Sequence, residues 1–296
     1  MENILERLPE GARVALIRLR SLGDCVLTTP ALQILRRFRP DLRVGVAVET
    51  PFAAVFEGNS DVDSLLAPSA AAVRAWRPEL CLNLHGGTRS AQMIAFSGAR
   101  YRAGFGHYRF PWLYNIRIPR AQEILGVERT VHTAEHVASA LFYLGAPRVE
   151  IPRARLFARR GPARAPYAVI HPLASRPDKV WPKEKFLEVA AALPFEVVFI
   201  GGPGDDLTHF SKHRTVSGSP LSETKQLIQG ASLFLGNDSG PAHIAAAFGV
   251  PLVVLFGSSN PAIWAPWRAP SEVLTDLDRV SVDQVLSAVS RLQVHA

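Results

Sequence analysis

The sequence predicts an α/β protein of two doubly wound domains, each a parallel sheet with helices on both faces. Three observations lead there. Short apolar runs alternate with helix-compatible runs along most of the 296 residues, the pattern of strands buried on both faces. A proline- and arginine-rich stretch from Pro147 to Pro166 parts two such alternations, as an interdomain linker does. Polar turns rich in small residues fall at the carboxyl ends of the strands, the edge where open α/β sheets bind ligands. This division places one domain at residues 1–155 and a second at 156–296, with a terminal helix over 281–293.

Taken in order, Val14 to Leu19 is a short apolar strand, and Arg20-Ser21-Leu22-Gly23-Asp24 is the turn after it. Cys25 to Phe38 reads as one helix, with Pro30 in its first turns and Val26, Leu27, Ala31, Ile34, Leu35 and Phe38 on one side. Pro40 and Asp41 stop it. Strands follow at Arg43–Val48, Ser64–Leu66 and Leu80–Leu84, with helices near Pro51–Phe56, at Ala70–Arg77, at Arg89–Gly98 and at Glu135–Leu144. Past the linker, Tyr167–His171 and Phe195–Ile200 read as strands and Lys183–Leu193 as a helix, Pro182 being suited to a first turn. Glu223–Gln229 is helical. Ala231–Leu235, Ala242–Phe248 and Pro251–Phe256 then read as strand, helix and strand, with Gly249 ending the helix.

Composition excludes several classes. Hydrophobic residues make up 48% and charged ones 20%, enough to bury sizeable cores and too apolar for disorder. No stretch approaches the roughly 18 apolar residues of a membrane span, and no basic start leads into an apolar run. A cytoplasmic protein is expected. Cys25 and Cys81 have neither metal nor disulfide spacing and read as core thiols. The formal charge of +7, carried mainly by arginine, favours anionic partners. Basic and aromatic residues interleave once, from Tyr101 to Phe110, without a nucleic-acid-binding signature. Asp61-Val62-Asp63 reads as a surface turn.

The turn Asn237-Asp238-Ser239-Gly240-Pro241-Ala242-His243 carries the most chemistry. It leads from a buried strand into a helix whose free N–H groups attract phosphate. Ser239 and Gly240 let an anion approach the backbone, His243 lies one turn in, and Asp238 either caps the helix or orients His243. Ordinary capping explains the same residues. Asp24, at the first strand's end, is either a general base or a helix cap. In His171 to Pro182, Ser175 offers a hydroxyl and Lys179 a cation for a departing diphosphate; Arg176 shares that role or is solvated, and Trp181 reads as packing. Gly201-Gly202-Pro203-Gly204-Asp205-Asp206 is not the Gly-x-Gly-x-x-Gly fingerprint. Asp205 or Asp206 either meets ribose hydroxyls or closes a turn. His85-Gly86-Gly87-Thr88 is a further polar turn at a strand end.

Together these turns resemble the family 9 glycosyltransferases, the heptosyltransferases of lipopolysaccharide synthesis. Three parts carry the resemblance: Ile17 to Asp24 continuing through Leu27 to Leu32; His171-Pro172 with Ser175, Lys179 and Trp181-Pro182; and Gly236 to His243 continued by Ala246, Phe248 to Pro251, and Phe256-Gly257 to Trp267. The resemblance implies a GT-B fold, two Rossmann-like domains facing a central cleft, with the last helix crossing back to the first. It implies metal-independent, inverting transfer of a heptose from an ADP-sugar to a glycolipid acceptor, with no cofactor beyond the co-substrate. Asp24 then matches the general base and Lys179 a catalytic cation. Ser175, Asp205 or Asp206, Asp238, Ser239, Gly240 and His243 match donor contacts. Leu173 departs from a position where glycine is frequent, and the short N-terminal half leaves the acceptor open.

An arginine-rich acceptor face suits an anionic lipid core, with Arg18, Arg20, Arg100, Arg102 and Arg109 as candidates and peripheral contact with the inner membrane as a corollary. The alternative is a non-catalytic nucleotide-sugar or glycolipid binding protein of the same fold. A nicotinamide dehydrogenase fails for want of its glycine fingerprint.

Overall fold

The computed structural model describes residues 3–159, 161, 165–292 and 294. The chain divides into two compact units, Met1–Pro152 and Arg153–Ala296. Positions 160 and 162–164 of the expected linker, and position 293 of the expected terminal helix, lie outside the described residues.

The first unit holds six strands, β1 (Arg13–Ile17), β2 (Arg43–Ala47), β3 (Ser64–Leu66), β4 (Leu80–Asn83), β5 (Tyr101–Phe105) and β6 (Ile116–Ile118). All pair in parallel, in the order β3-β2-β1-β4-β5-β6. The second unit repeats the plan with β7 (Tyr167–His171), β8 (Glu196–Gly201), β9 (Arg214–Ser217), β10 (Leu233–Asn237), β11 (Leu252–Phe256) and β12 (Ser271–Thr275), in the order β12-β11-β10-β7-β8-β9. In each sheet the strand order reverses beside the unit's first strand, between β1 and β4 and between β7 and β10. That switch point opens a crevice at the carboxyl edge.

Burial explains which strands the sequence betrays. Val14 to Ile17 of β1 and Leu252 to Phe256 of β11 are buried throughout, and each fully buried large apolar side chain stabilises by about 1.5–3 kcal/mol. Such runs are continuous and easily read. By contrast β6, β9 and β12 are short outer strands with exposed or half-exposed positions, where no apolar run is required. Four strands, β5 among them, were not expected from sequence.

The expected single helix over Cys25–Phe38 is two, Leu22–Val26 and Thr29–Phe38. Pro30 has no N–H for the Val26 carbonyl, and its ring crowds it. The Thr29 hydroxyl donates to that carbonyl instead, at 2.9 Å, and the Thr28 hydroxyl donates to the Asp24 carbonyl at 2.8 Å. The break leaves Asp24 in a one-turn helix at the sheet's edge. The terminal helix Val282–Arg291 packs against the helix Lys183–Ala192 and against β11 and β12, with Val285 and Ala288 in the second unit's own core.

Cys25 and Cys81 are buried, and burial pushes both thiols up to about 12. They stay protonated and unreactive at neutral pH. Among the described residues no helix is long and apolar enough to cross a membrane.

Candidate active site

In the second unit, four turns meet around the carboxyl ends of β7, β10 and β11. Their joint is Asn237, the buried last residue of β10. Its carboxamide oxygen accepts from the Trp181 N–H at 3.0 Å, and its amide nitrogen donates to the Pro172 carbonyl at 2.9 Å. The turns after β7 and β10 are thereby clipped together. Trp181 is fully buried and donates its indole N–H to the Val280 carbonyl at 3.2 Å. Gly236 is required by close approach, since a Cβ there would stand 2.7 Å from the His171 carbonyl oxygen. Gly257 is tighter still: a Cβ would lie 2.2 Å from the Asp178 carbonyl oxygen and 2.9 Å from the Lys179 Cα. Glycine at 257 lets the turn carrying Lys179 rest against the end of β11.

Lys179 Nζ lies 3.1 Å from Asp238 Oδ2, with both side chains largely shielded from water. The Ser259 hydroxyl donates to the same oxygen at 2.5 Å. Asp238 therefore holds a cation, and its side chain caps no helix. Nor does that of Ser239: it is the N-cap residue of the helix Gly240–Phe248, yet makes no side-chain cap bond. Its Oγ instead shares a hydrogen bond of 2.9 Å with His171 Nδ1. The helix thus presents a first turn without a side-chain cap beside a buried Lys–Asp pair. An anion there meets peptide dipoles and one ammonium group. His243 is buried one turn in, its ring 6.4 Å from that of Trp264.

Ser175 is exposed on the loop after β7. Arg176 is engaged by Asp178 at 2.5 and 3.0 Å. Asp205 Oδ2 accepts from the Gly202 N–H at 2.7 Å, closing the glycine turn. Asp206 accepts from the Thr208 hydroxyl at 2.5 Å and from its N–H at 2.8 Å, and these bonds hold its carboxyl below the usual range. Both acids close turns. Asp205 is also near enough to His171 to favour its protonation electrostatically.

Burial outweighs that attraction and depresses His171 to about 4. The sign follows directly. Folded His171 stays neutral down to about pH 4, whereas the unfolded chain takes up a proton near 6.5. The stability tied to neutral His171 is fully present above about pH 6.5 and is lost as pH falls through about 4. We expect on the order of 3 kcal/mol to disappear over that window, read as a falling urea midpoint. His171→Asn should flatten the slope; an unchanged slope would refute the assignment.

In the first unit, Arg18 and Asp24 form an ion pair of 3.1 Å past the end of β1, and the Ser21 hydroxyl donates to the other Asp24 oxygen at 2.9 Å. Arg18 is buried, Asp24 is half-buried and Arg20 is exposed. A group of rings stands in the same neighbourhood. Tyr108 Oη lies 3.3 Å from both the Leu84 carbonyl and His136 Nε2, and His136 stacks on Phe105 at 4.0 Å. Burial, then His107 and Arg18, depress His136 to about 4, with Asp24 opposing. His85 is likewise depressed, by burial and then by Arg18. The imidazoles here are neutral hydrogen-bonding groups at neutral pH.

Arg102 is not brought to this edge. It is in register with Cys81, and Cys81 with Ala15 in mid-sheet. Its guanidinium turns the other way, donating to the Ala99 and Leu113 carbonyls. Arg100 precedes β5 on that same far side. Arg109 follows β5 and donates to the Thr88 hydroxyl at 3.2 Å.

Sequence reasoning passed over Ser259, Asn237 and the Tyr108–His136 pair. For Ser259 a signal existed: Gly257-Ser258-Ser259-Asn260 is one more small polar turn after a buried strand. Asn237 stood in the quoted turn without a role, and His136 gave no signal, because their roles arise from contacts distant in sequence. Among the described residues, no group of three or more His, Cys, Asp or Glu could hold a metal ion.

Lipopolysaccharide heptosyltransferase 3 of Escherichia coli (strain K12) is 26% identical over 84% of this chain and 83% of its own length. A glycosyl transferase family 9 structure from Veillonella parvula superposes with a TM-score of 0.85 at 22% identity, covering 98% of this chain and 99% of that one. The E. coli heptosyltransferase WaaC with ADP superposes with a TM-score of 0.78 at 17% identity, covering 95% and 99%. The fold is that of these GT-B enzymes. The model of glycosyltransferase family 9 (heptosyltransferase) matches residues 70–284. A match over most of the chain, taking in Lys179, Asp238 and the helix after them, makes this protein a member of glycosyltransferase family 9, the heptosyltransferase family.

Proposed function

We propose that this chain transfers a heptose, with inversion and without a metal, from ADP-heptose to a glycolipid acceptor of the lipopolysaccharide core. One observation carries the reading: a shielded Lys179–Asp238 pair stands beside a helix N-terminus without a side-chain cap. That arrangement suits a leaving diphosphate. The ADP in the WaaC structure of the same fold supports adenine as the base.

Asp24 accepts the proton of the acceptor hydroxyl, using lone pairs left over from Arg18 and Ser21. The acceptor oxygen forms its bond to the anomeric carbon as the bond to the diphosphate oxygen breaks on the opposite face. Lys179, the N–H groups of the helix's first turn and the hydroxyls of Ser239 and Ser175 take up the charge on departing ADP. Asp205, rather than Asp206, which Thr208 engages twice, is our candidate for the ribose hydroxyls. Arg18, Arg20 and Arg109 form the acceptor-facing charge, and Arg102 drops out because it is spent on backbone carbonyls. A lipid-linked acceptor places the enzyme at the inner face of the cytoplasmic membrane.

The test is a thermal-shift screen of nucleoside diphosphates. ADP at about 100 times its Kd should add about 2.7 kcal/mol of stability, and other bases less. Transfer of heptose in excess EDTA, with inverted configuration at the product's anomeric carbon, completes the case. Binding of ADP-heptose without turnover would make the chain a binding protein. Activity lost in EDTA and regained with a divalent cation would overturn the metal-free reading.

A further inference from the structure

We infer that the outer face of the first unit built by the helix Thr88–Ala95, the following turn at 106–113 and β6 docks on an anionic lipid bilayer. The inference uses the proposed lipid-linked acceptor only to choose the occupant; the face itself rests on three observations.

The first is exposure. Trp112 is 67% exposed and Phe96 63%, well above any other large hydrophobic side chain among the described residues. The second is placement. Arg109 ties one end of the 109–113 segment to Thr88 at the helix start, and Arg102 ties the Leu113 carbonyl to that of Ala99 beyond the helix end. The segment therefore runs along the helix. Its inner side is anchored, since Leu113 packs on the cluster containing Met93 and Ile94. Its outer side carries Phe110 and Trp112, rings edge to face at 5.3 Å. Phe110 holds a left-handed φ of 58°, a costly conformation for a bulky residue. The Phe110 ring is half-buried and supports the exposed Trp112 ring from beside it.

The third observation is charge. From Leu80 to Gln122 the sequence has six arginines and no aspartate or glutamate. Arg102 is committed to carbonyls and Arg89 to Glu49. Arg100, Arg109, Arg117 and Arg120 are exposed, and no ion pair to a carboxylate is found for them among the described residues. Arg109 lies over the Phe110 ring, and Arg117 Nε donates to the Pro111 carbonyl. Projecting rings ringed by cations of one sign suit the headgroup layer, where indoles bury their apolar body and guanidinium groups meet lipid phosphates.

The experiment is co-sedimentation of the full chain with phosphatidylglycerol/phosphatidylethanolamine vesicles, against phosphatidylcholine vesicles, at low and high salt. The chain should pellet with anionic vesicles only, and less so at 0.5 M salt, where screening shortens to a few Å. Arg117→Gln with Arg120→Gln should weaken partitioning by about 25-fold, near 5-fold per charge. Trp112→Ser with Phe96→Ser should weaken it at least 10-fold. The variants should keep the wild-type melting temperature and ADP shift, because the side chains changed are exposed. Equal pelleting with phosphatidylcholine, or unchanged pelleting of both double variants, would overturn the proposal. Heparin or nucleic-acid binding without vesicle binding would do so too. ADP binding needs no vesicle, so failure here leaves the transfer reading standing, and its failure leaves this one.

Discussion

Asp24→Asn is expected to lower kcat for heptose transfer by about 10²–10⁴-fold, the usual scale for a lost general base, while leaving the ADP thermal shift unchanged. The carboxamide keeps an oxygen for the Ser21 hydroxyl but cannot accept the acceptor's proton. It also leaves the buried Arg18 guanidinium without its carboxylate, so a fall in stability accompanies the fall in rate. Arg18→Gln separates the two effects. It breaks the same ion pair but keeps the base, so it should raise acceptor KM more than it lowers kcat. An Asp24→Asn enzyme with wild-type kcat would mean that Asp24 only shapes the one-turn helix Leu22–Val26.

Lys179→Met is expected to cost about 10²–10³-fold in kcat/KM, the range seen when one group stabilising charge in a transition state is removed, and to weaken ADP binding. It also strands the Asp238 carboxylate, largely buried and left with Ser259. Removing one partner of a buried pair destabilises by about 3–5 kcal/mol. The double variant Lys179→Met/Asp238→Asn removes both charges, so it should regain stability without regaining transfer. Recovery of both would reduce Lys179 to a counter-ion. Gly257→Ala probes the same site by shape alone: both charges remain, but the new methyl displaces the turn of residues 177–179. Loss of ADP affinity together with a fall in stability of about 1–3 kcal/mol is the expected result, because the methyl meets backbone atoms.

The two central parallel sheets were legible because β1, β4, β7, β10 and β11 are buried on both faces and read as unbroken apolar runs. The outer strands were not, because an outer strand shares its burden with solvent. β5 was hidden by Tyr101 and Arg102 at its start. In the second unit's candidate site, Lys179, Asp238 and Ser239 were legible as types. Their partners were not. Asp238 reads as a helix cap or a partner of His243, and Ser239 as a phosphate contact or a cap, but each spends its side chain across the turn, on Lys179 and His171. Pro30 was visible and misweighed. Placing it inside one long helix ignored the carbonyl it orphans, which Thr29 rescues.

The Asn237 clip bears on how the second unit assembles. Its two bonds join residues 56 and 65 positions apart, and β10 must slot between β7 and β11 before either can form. Contacts so distant along the chain carry a loop-closure entropy that is recovered only late. An intermediate with β7 and β8 paired but β10 absent lacks the Lys179–Asp238 pair and the helix start beside it. Recovery of ADP binding during refolding thus clocks the insertion of the central strand, and should lag behind the return of helical signal.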